Sequence, residues 1–350
     1  MPLDAKILSE LVKELALCQG AVAVGISTVE TLAGGPPSTD LSYVLPGAKS
    51  AVTFAIPFDQ ELIEPYLSKK DHGTLERHIF HTGSACSGVA LDIAGYLEMK
   101  GHPSVGLNHN AVYRRDKDPR GLDQMPDIAH RYLAVRSGVG YFGLSGNVIT
   151  DPYGSAVLLG TAVTTAELVA TEPLPPEDNY CDECKLCLSL CLSGFMSKEE
   201  KQSVTLGGLE YSHSMRRDYD RCNFVCGGFS GLHPSGKWST WSPGRFPIPE
   251  EDDKFHEALV KVYPLYGARP ELEGGTIHPH MRAKIHMSCA NCQLVCTPDK
   301  EVRKKRYKMV TKSGVVIQQA DGSLQAVSPD DARDHVSGLA EDQQRLYQEV

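Results

Sequence analysis

Cys181-Asp182-Glu183-Cys184-Lys185-Leu186-Cys187-Leu188-Ser189-Leu190-Cys191 is the stretch from which the rest of the chain can be read. Its four cysteines are separated by two, two and three residues. Two-residue gaps let a looping backbone point three thiolates at one iron–sulfur cubane. The fourth cysteine, after a three-residue gap, starts a helix, faces away and ligates a different cluster. A second run is therefore required, and Cys289-x-x-Cys292-x-x-x-Cys296 supplies it. One [4Fe–4S] cluster then takes Cys181, Cys184, Cys187 and Cys296. The other takes Cys191, Cys289, Cys292 and one more, either Cys222 or Cys226 of the intervening RCNFVCGG. Structural zinc prefers separated cysteine pairs with four ligands per ion, and the 2-2-3 run does not suit it.

The bulk properties agree with a folded, metal-carrying chain. Its 350 residues are 41% hydrophobic and 23% charged, an ordinary globular composition. A formal charge of −9 argues against broad, non-specific nucleic-acid binding, which needs a basic surface. The one basic run, Lys300 to Lys312, reads as a solvated face or as local contact with an acidic partner. No segment reaches the roughly 18 consecutive apolar residues of a membrane span. The N-terminus reads as an amphipathic helix, so a cytoplasmic protein without a membrane association is expected. Grouped cysteines in such a chain are metal ligands more often than disulfides.

Upstream of the cysteines, residues 1–175 read as an α/β domain. Helices are expected from about Asp4 to Cys18, His78 to Lys100 and Pro126 to Ser137, and strands over Ala21–Ile26, Ala51–Pro57 and Ala156–Val163. Cys86 falls on the apolar stripe of the second helix and reads as core. Pro173, Pro175 and Pro176 mark the boundary to a cysteine domain, 176–312. Ser197-Lys198-Glu199-Glu200 has the pattern of a capping box and predicts a short helix. Residues Gly227–Pro249 should be irregular. Phe255, Leu259 and Val262 mark a helix. A closing segment, 313–350, predicts a hairpin around Asp321-Gly322 and a helix with Ser328 as N-cap and Pro329 at its first position.

Gly138-x-Gly140-x-x-Gly143 matches a dinucleotide fingerprint in letters only. A helix precedes it and a strand follows, the reverse of the required context. The turn is either a tight helix-to-strand connection or a surface pressed against another flat cofactor. His130 reads as a hydrogen-bonded buried histidine. His213, His233, His280 and His286 flank the cysteine region and could tune a cluster. Trp238, Trp241 and Arg245 could pack normally or shield one.

AVRSGVGYFGLSGNVIT, followed by two cysteine runs with a separate cysteine between them, resembles the epoxyqueuosine reductase and reductive dehalogenase superfamily from about Ser50 to Cys296. The resemblance implies an N-terminal α/β cobalamin-type reductase domain followed by a ferredoxin-like domain with two [4Fe–4S] clusters. Electrons would pass from the clusters to a cobalamin that reduces a small substrate, with a side-chain acid supplying a proton. Carried over, Gly138, Gly140, Tyr141 and Gly143 become corrin contacts, and Asp123 or Asp127 the proton donor. Cys222 becomes the eighth ligand, because the family's separate cysteine follows an arginine, as Cys222 follows Arg221. Tyr141 stands where the family has tryptophan, and Leu144-Ser145 where it has lysine. A low-potential donor such as ferredoxin or flavodoxin is implied. The acidic chain and the lack of a helical-repeat tail speak against a tRNA substrate. The alternative is an electron-transfer protein or reductive activator of a corrinoid protein, with no substrate site of its own.

Overall fold

The computed structural model describes residues 4–108, 112–116, 124–277 and 284–348. In chain order the elements are α1 (Ala5–Cys18), β1 (Ala23–Thr28), β2 (Ser50–Pro57), α2 (Ile63–Leu67), α3 (Gly73–Met99), β3 (Ser104–Leu107), α4 (His130–Arg136), β4 (Tyr141–Phe142), β5 (Val148–Ile149) and β6 (Val157–Thr164). There follow α5 (Leu186–Ser189), β7 (Met196–Leu206), β8 (Leu209–Arg216), α6 (Tyr219–Cys226), α7 (Asp253–Gly267), β9 (Thr276–Ile277), β10 (Lys284–Ile285), α8 (Asn291–Leu294), α9 (Lys300–Thr311), β11 (Val315–Gln318), β12 (Leu324–Val327), α10 (Pro329–Gly338) and α11 (Glu341–Gln344). Among the described residues no helix is long and apolar enough to cross a membrane.

The chain divides into two compact units that interleave along the sequence. The first holds residues 1–58, 81–184 and 201–214, the second 59–80, 185–200 and 215–350. The contiguous segments 1–175, 176–312 and 313–350 read from the sequence differ from this. Residues 59–80 join the cysteine-rich unit, and the closing hairpin and helices are part of that unit rather than a separate piece.

The first unit is built on a four-stranded sheet in the order β1-β2-β6-β3. Every neighbouring pair is antiparallel. The α/β reading of this half is thus corrected to α+β: helices and strands share the layers, but no parallel crossover is present among these strands. Strand side chains alternate between faces, which explains the two cores. Val52, Phe54 and Ile56 pack with Leu8, Val12 and Ala16 of α1 and with Cys86, Val89, Ile93 and Leu97 of α3. Ala51 and Ala55 face the other way, with Leu133 and Ala134 of α4 and Val157 and Val163 of β6. Each large apolar side chain so buried contributes about 1.5–3 kcal/mol. The edge strand β3 went unread because a four-residue segment between a glycine and a loop leaves little periodicity.

In the second unit Phe224, Phe229, Phe246, Phe255 and Val262 form one core, joining α6 to α7. The hairpin β11–β12 and α10, capped by the Ser328 hydroxyl, stand where the sequence placed them. The helix expected at Ser197 is absent. Residues 196–206 are strand β7, paired to β8. The Ser197 hydroxyl does accept from the Glu199 and Glu200 amides, as a cap would. The stronger signal is Gly207-Gly208, both at positive φ, which closes a hairpin and commits the preceding segment to a strand.

Candidate metal centre

The second unit gathers five of the cysteines. Cys191 follows α5; its sulfur lies 3.8 Å from the Ser193 hydroxyl, and the Phe195 and Met196 amides point at it. Cys222 and Cys226 stand one turn apart on α6, with a thiol–thiol hydrogen bond between them. Cys289 precedes α8 and accepts from the Asn291 amide, and Cys292 lies on α8. Cys289 lies within electrostatic reach of Cys292, Cys222 and Cys191, and Cys191 of Cys222. Thus members of both cysteine runs and of α6 converge.

These thiols are poorly suited to ionise unaided. Burial pushes Cys289 well above the ordinary thiol range. The hydrogen bond from Cys226 and burial do the same to Cys222, and burial raises Cys191. A bound cation inverts this logic and deprotonates its ligands. All eleven cysteines are free thiols, so no disulfide competes. Among the described residues no three His, Cys, Asp or Glu side chains are close enough together to hold a single metal ion. One zinc ion draws its sulfurs to within about 2.3 Å of a common point. A cubane is larger and holds its ligands further apart, which reconciles five interacting thiols with the lack of a single-ion site.

A buried polar group pins the segment leading to Cys289. Glu76 of α3, fully buried, accepts from the Met287 amide at 2.6 Å and pairs with His286 Nδ1 at 3.1 Å. Burial raises the Glu76 carboxyl, but the His286 hydrogen bond and the His72 and His286 charges outweigh it and hold it below the usual range. His72 Nε2 lies 2.9 Å from the Met287 carbonyl, to which the Tyr66 hydroxyl also donates at 3.3 Å. Trp241 donates from Nε1 to the Tyr66 carbonyl at 3.0 Å. Lys69 stands 5.6 Å from the Trp241 ring centroid; burial lowers its pKa to about 8 against the pull of Cys289. Sequence reasoning missed Tyr66, Lys69, His72 and Glu76. They lie in PYLSKKDHGTLERH, whose charges read as surface, and only the long-range fold buries them.

The remaining residues read from the sequence are scattered. In the first unit the Leu144 amide donates to the Cys181 sulfur at 3.2 Å, and Asn179 ties the Cys181 amide to the Phe142 carbonyl. Cys184 is exposed and is flanked by Glu183 and Lys185, both at positive φ. Cys181 and Cys184 fall in the first unit, Cys187 and Cys296 in the second. Near Cys296, Arg306 donates to the Leu294 carbonyl at 3.1 Å. His286 bonds to Glu76 rather than to sulfur. His213 belongs to the first unit, where its ring packs edge-on against Phe142. His233 stacks on Trp238. His280 lies outside the described residues. His130 is buried and bonded to Thr161, as expected. Arg245 donates to the carbonyls of Ser242, Gly244 and Val316, the ordinary packing role of the two alternatives.

The glycine turn has an internal explanation. A Cβ on Gly138 would stand 2.5 Å from the Glu172 carbonyl oxygen, and one on Gly140 2.6 Å from that of Ile149. At Gly143 it would meet the Ile149 side chain at 3.1 Å. The chain's own backbone thus accounts for Gly138 and Gly140, and the packing of Ile149 for Gly143, without a cofactor. Of the two acids, Asp123 lies outside the described residues. Asp127 is buried, which raises its pKa, and its Oδ1 accepts from the Ile128 amide at 2.7 Å.

No family model matches the chain. It is 30% identical over 161 residues to an epoxyqueuosine reductase of Gloeobacter violaceus, covering 45% of this chain and 44% of that one. It is 32% identical over 197 residues to an epoxyqueuosine reductase of Listeria monocytogenes, covering 51% and 48%. The chain thus matches about half the length of these curated relatives. A catabolic reductive dehalogenase of known structure matches 99% of this chain and 38% of its own with a TM-score of 0.52 at 12% identity, a likeness of fold.

Proposed function

We propose, from this chain's place as a divergent relative of the epoxyqueuosine reductase and reductive dehalogenase superfamily, that it is an iron–sulfur reductase carrying two [4Fe–4S] clusters. The observation that carries the reading is the meeting of Cys191, from the first run, with Cys289 and Cys292, from the second, beside Cys222. One cluster would be held by Cys191, Cys222, Cys289 and Cys292, the other by Cys181, Cys184, Cys187 and Cys296. When bound, such clusters store and pass single electrons. The amides of Leu144, Phe195, Met196 and Asn291 donate to ligand sulfurs, which stabilises added negative charge and tunes the potential.

Cobalamin is the electron acceptor that this kinship suggests. The glycine turn does not support it, because packing accounts for those residues. Asp127 does fit a reductive site. With Oδ1 occupied by the Ile128 amide, Oδ2 is left to carry a proton that burial holds more tightly than an ordinary aspartate would. The substrate would be a small molecule and the electron source a low-potential carrier. The net charge of −9 disfavours a tRNA substrate. The test is oxygen-free purification with metal and corrinoid analysis. About eight irons per chain, brown colour and retained corrinoid through gel filtration are expected. Colourless protein containing zinc would overturn the reading; clusters without corrinoid would leave electron transfer to a separate corrinoid protein.

A further inference from the structure

The acidic chain concentrates cations on one helix. From Lys300 to Lys312 there are seven Lys and Arg against Glu301 alone, in a protein with 35 basic and 44 acidic residues. Helix α9 sorts them by side. Arg303 and Arg306 are buried, whereas Lys304, Lys305, Lys308 and Lys312 are exposed and line one depression of about 510 Å³ floored in part by Met309. Lys304 pairs with Glu301 and Lys305 with Glu64, each at 2.8 Å. Both pairs are exposed, so they are worth little and give way readily to another anion. Among the described residues Lys308 and Lys312 have no acidic partner.

The inner side of the same helix faces the cysteines. Arg306 reaches the Leu294 carbonyl two residues before Cys296 and interacts electrostatically with Cys296. Asp299, three residues after Cys296, caps α9, and α9 packs on α5, which carries Cys187. One helix thus presents lysines outward while its other side packs beside Cys187 and Cys296.

We propose that the lysine face of α9 is the docking surface for an acidic, low-potential electron-carrier protein that reduces the cluster to which Cys187 and Cys296 are assigned. The inference rests on the cluster reading above. Opposite charge steers the two proteins together. One electron leaves the carrier's reduced centre, oxidising it by one, and is taken up at the cluster; no bond forms or breaks and no proton need move. A carrier of opposite sign explains why an acidic protein keeps an isolated basic face.

The experiment uses the full chain, purified without oxygen, with a reduced acidic bacterial ferredoxin as donor and cluster bleaching as readout. Dithionite is the control, since a small reductant needs no docking face. For the wild type, the ferredoxin rate should fall at least roughly tenfold between about 50 and about 300 mM salt. The double variant Lys308→Glu with Lys312→Glu should lose a similar factor at low salt, with its dithionite rate and iron content unchanged. An unchanged ferredoxin rate in that variant overturns the proposal. So does a loss of affinity for an RNA stem-loop with the ferredoxin rate intact, which would make the face an RNA contact. Wild-type protein that lacks iron and acid-labile sulfide would instead sink the cluster reading itself.

Discussion

Cys222 and Cys226 lie one helical turn apart with their thiols hydrogen-bonded, and Cys222 is within electrostatic reach of both Cys191 and Cys289. The proposed cluster needs four of these five cysteines, and its assignment takes Cys222 rather than Cys226 as the fourth. Cys222→Ser should lower iron from about eight to about four per chain, whereas Cys226→Ser should keep nearly all of it. Iron and sulfide analysis of the two variants, made without oxygen, checks this. Equal losses in both would mean that the pair acts jointly.

The proton-donor role proposed for Asp127 can be tested directly. Asp127→Asn keeps the side-chain shape and the bond to the Ile128 amide but cannot donate an acidic proton. Turnover should fall by about 10²-fold or more, with iron content unaffected. The raised pKa sets the sign of the pH dependence: the protonated form persists to higher pH than for an ordinary aspartate, and wild-type activity should decline as pH rises through the Asp127 pKa. A pH–rate profile whose basic limb survives in the variant would remove Asp127 from the reaction.

His72 links stability to pH. Burial lowers its pKa, against the pull of Glu76. The unfolded chain then binds a proton before the folded one does. The neutral ring contributes its full stability above the unfolded value of about 6.5, and that contribution is lost as pH falls from there toward the folded pKa. Thermal unfolding should weaken over that interval in the wild type, and the slope should flatten in His72→Gln. Parallel slopes would exclude this origin.

Glu76 should be among the least replaceable polar residues of the second unit. Glu76→Ala leaves the Met287 amide and His286 unpartnered in the interior, at a cost of about 3 kcal/mol. Denaturant titration measures it. A loss below about 1 kcal/mol would mean water or a neighbour replaces the carboxylate.

Gly140→Ala tests the internal account of the glycine turn. Its Cβ would press on the Ile149 carbonyl, so the chain should lose about 1–3 kcal/mol even without any cofactor. Full stability with impaired corrinoid retention would instead restore the cofactor-facing reading.

Much of this was legible in the chain itself. The cysteine spacing carries its own geometry, so the expectation that Cys191 lies near Cys289 follows from counting gaps, whereas the choice between Cys222 and Cys226 does not. Strongly periodic segments such as α1 and the residues of β2 were equally plain. Three kinds of feature were not. Ser197 carried a helix-start signal that the Gly207-Gly208 turn overrode from ten residues away. The antiparallel order of the sheet depends on connections that periodicity does not encode. Glu76, His72 and Lys69 look like surface residues until the chain folds them against a segment some 200 positions later.

The left-handed backbone at Glu183 and Lys185 holds Cys184 outward, the one exposed thiol of the eight assigned. An oxidant or alkylating reagent diffusing in from solvent meets that sulfur before any other of the set. In air the damage should accordingly begin at Cys184, with the gathering around Cys289 outlasting it.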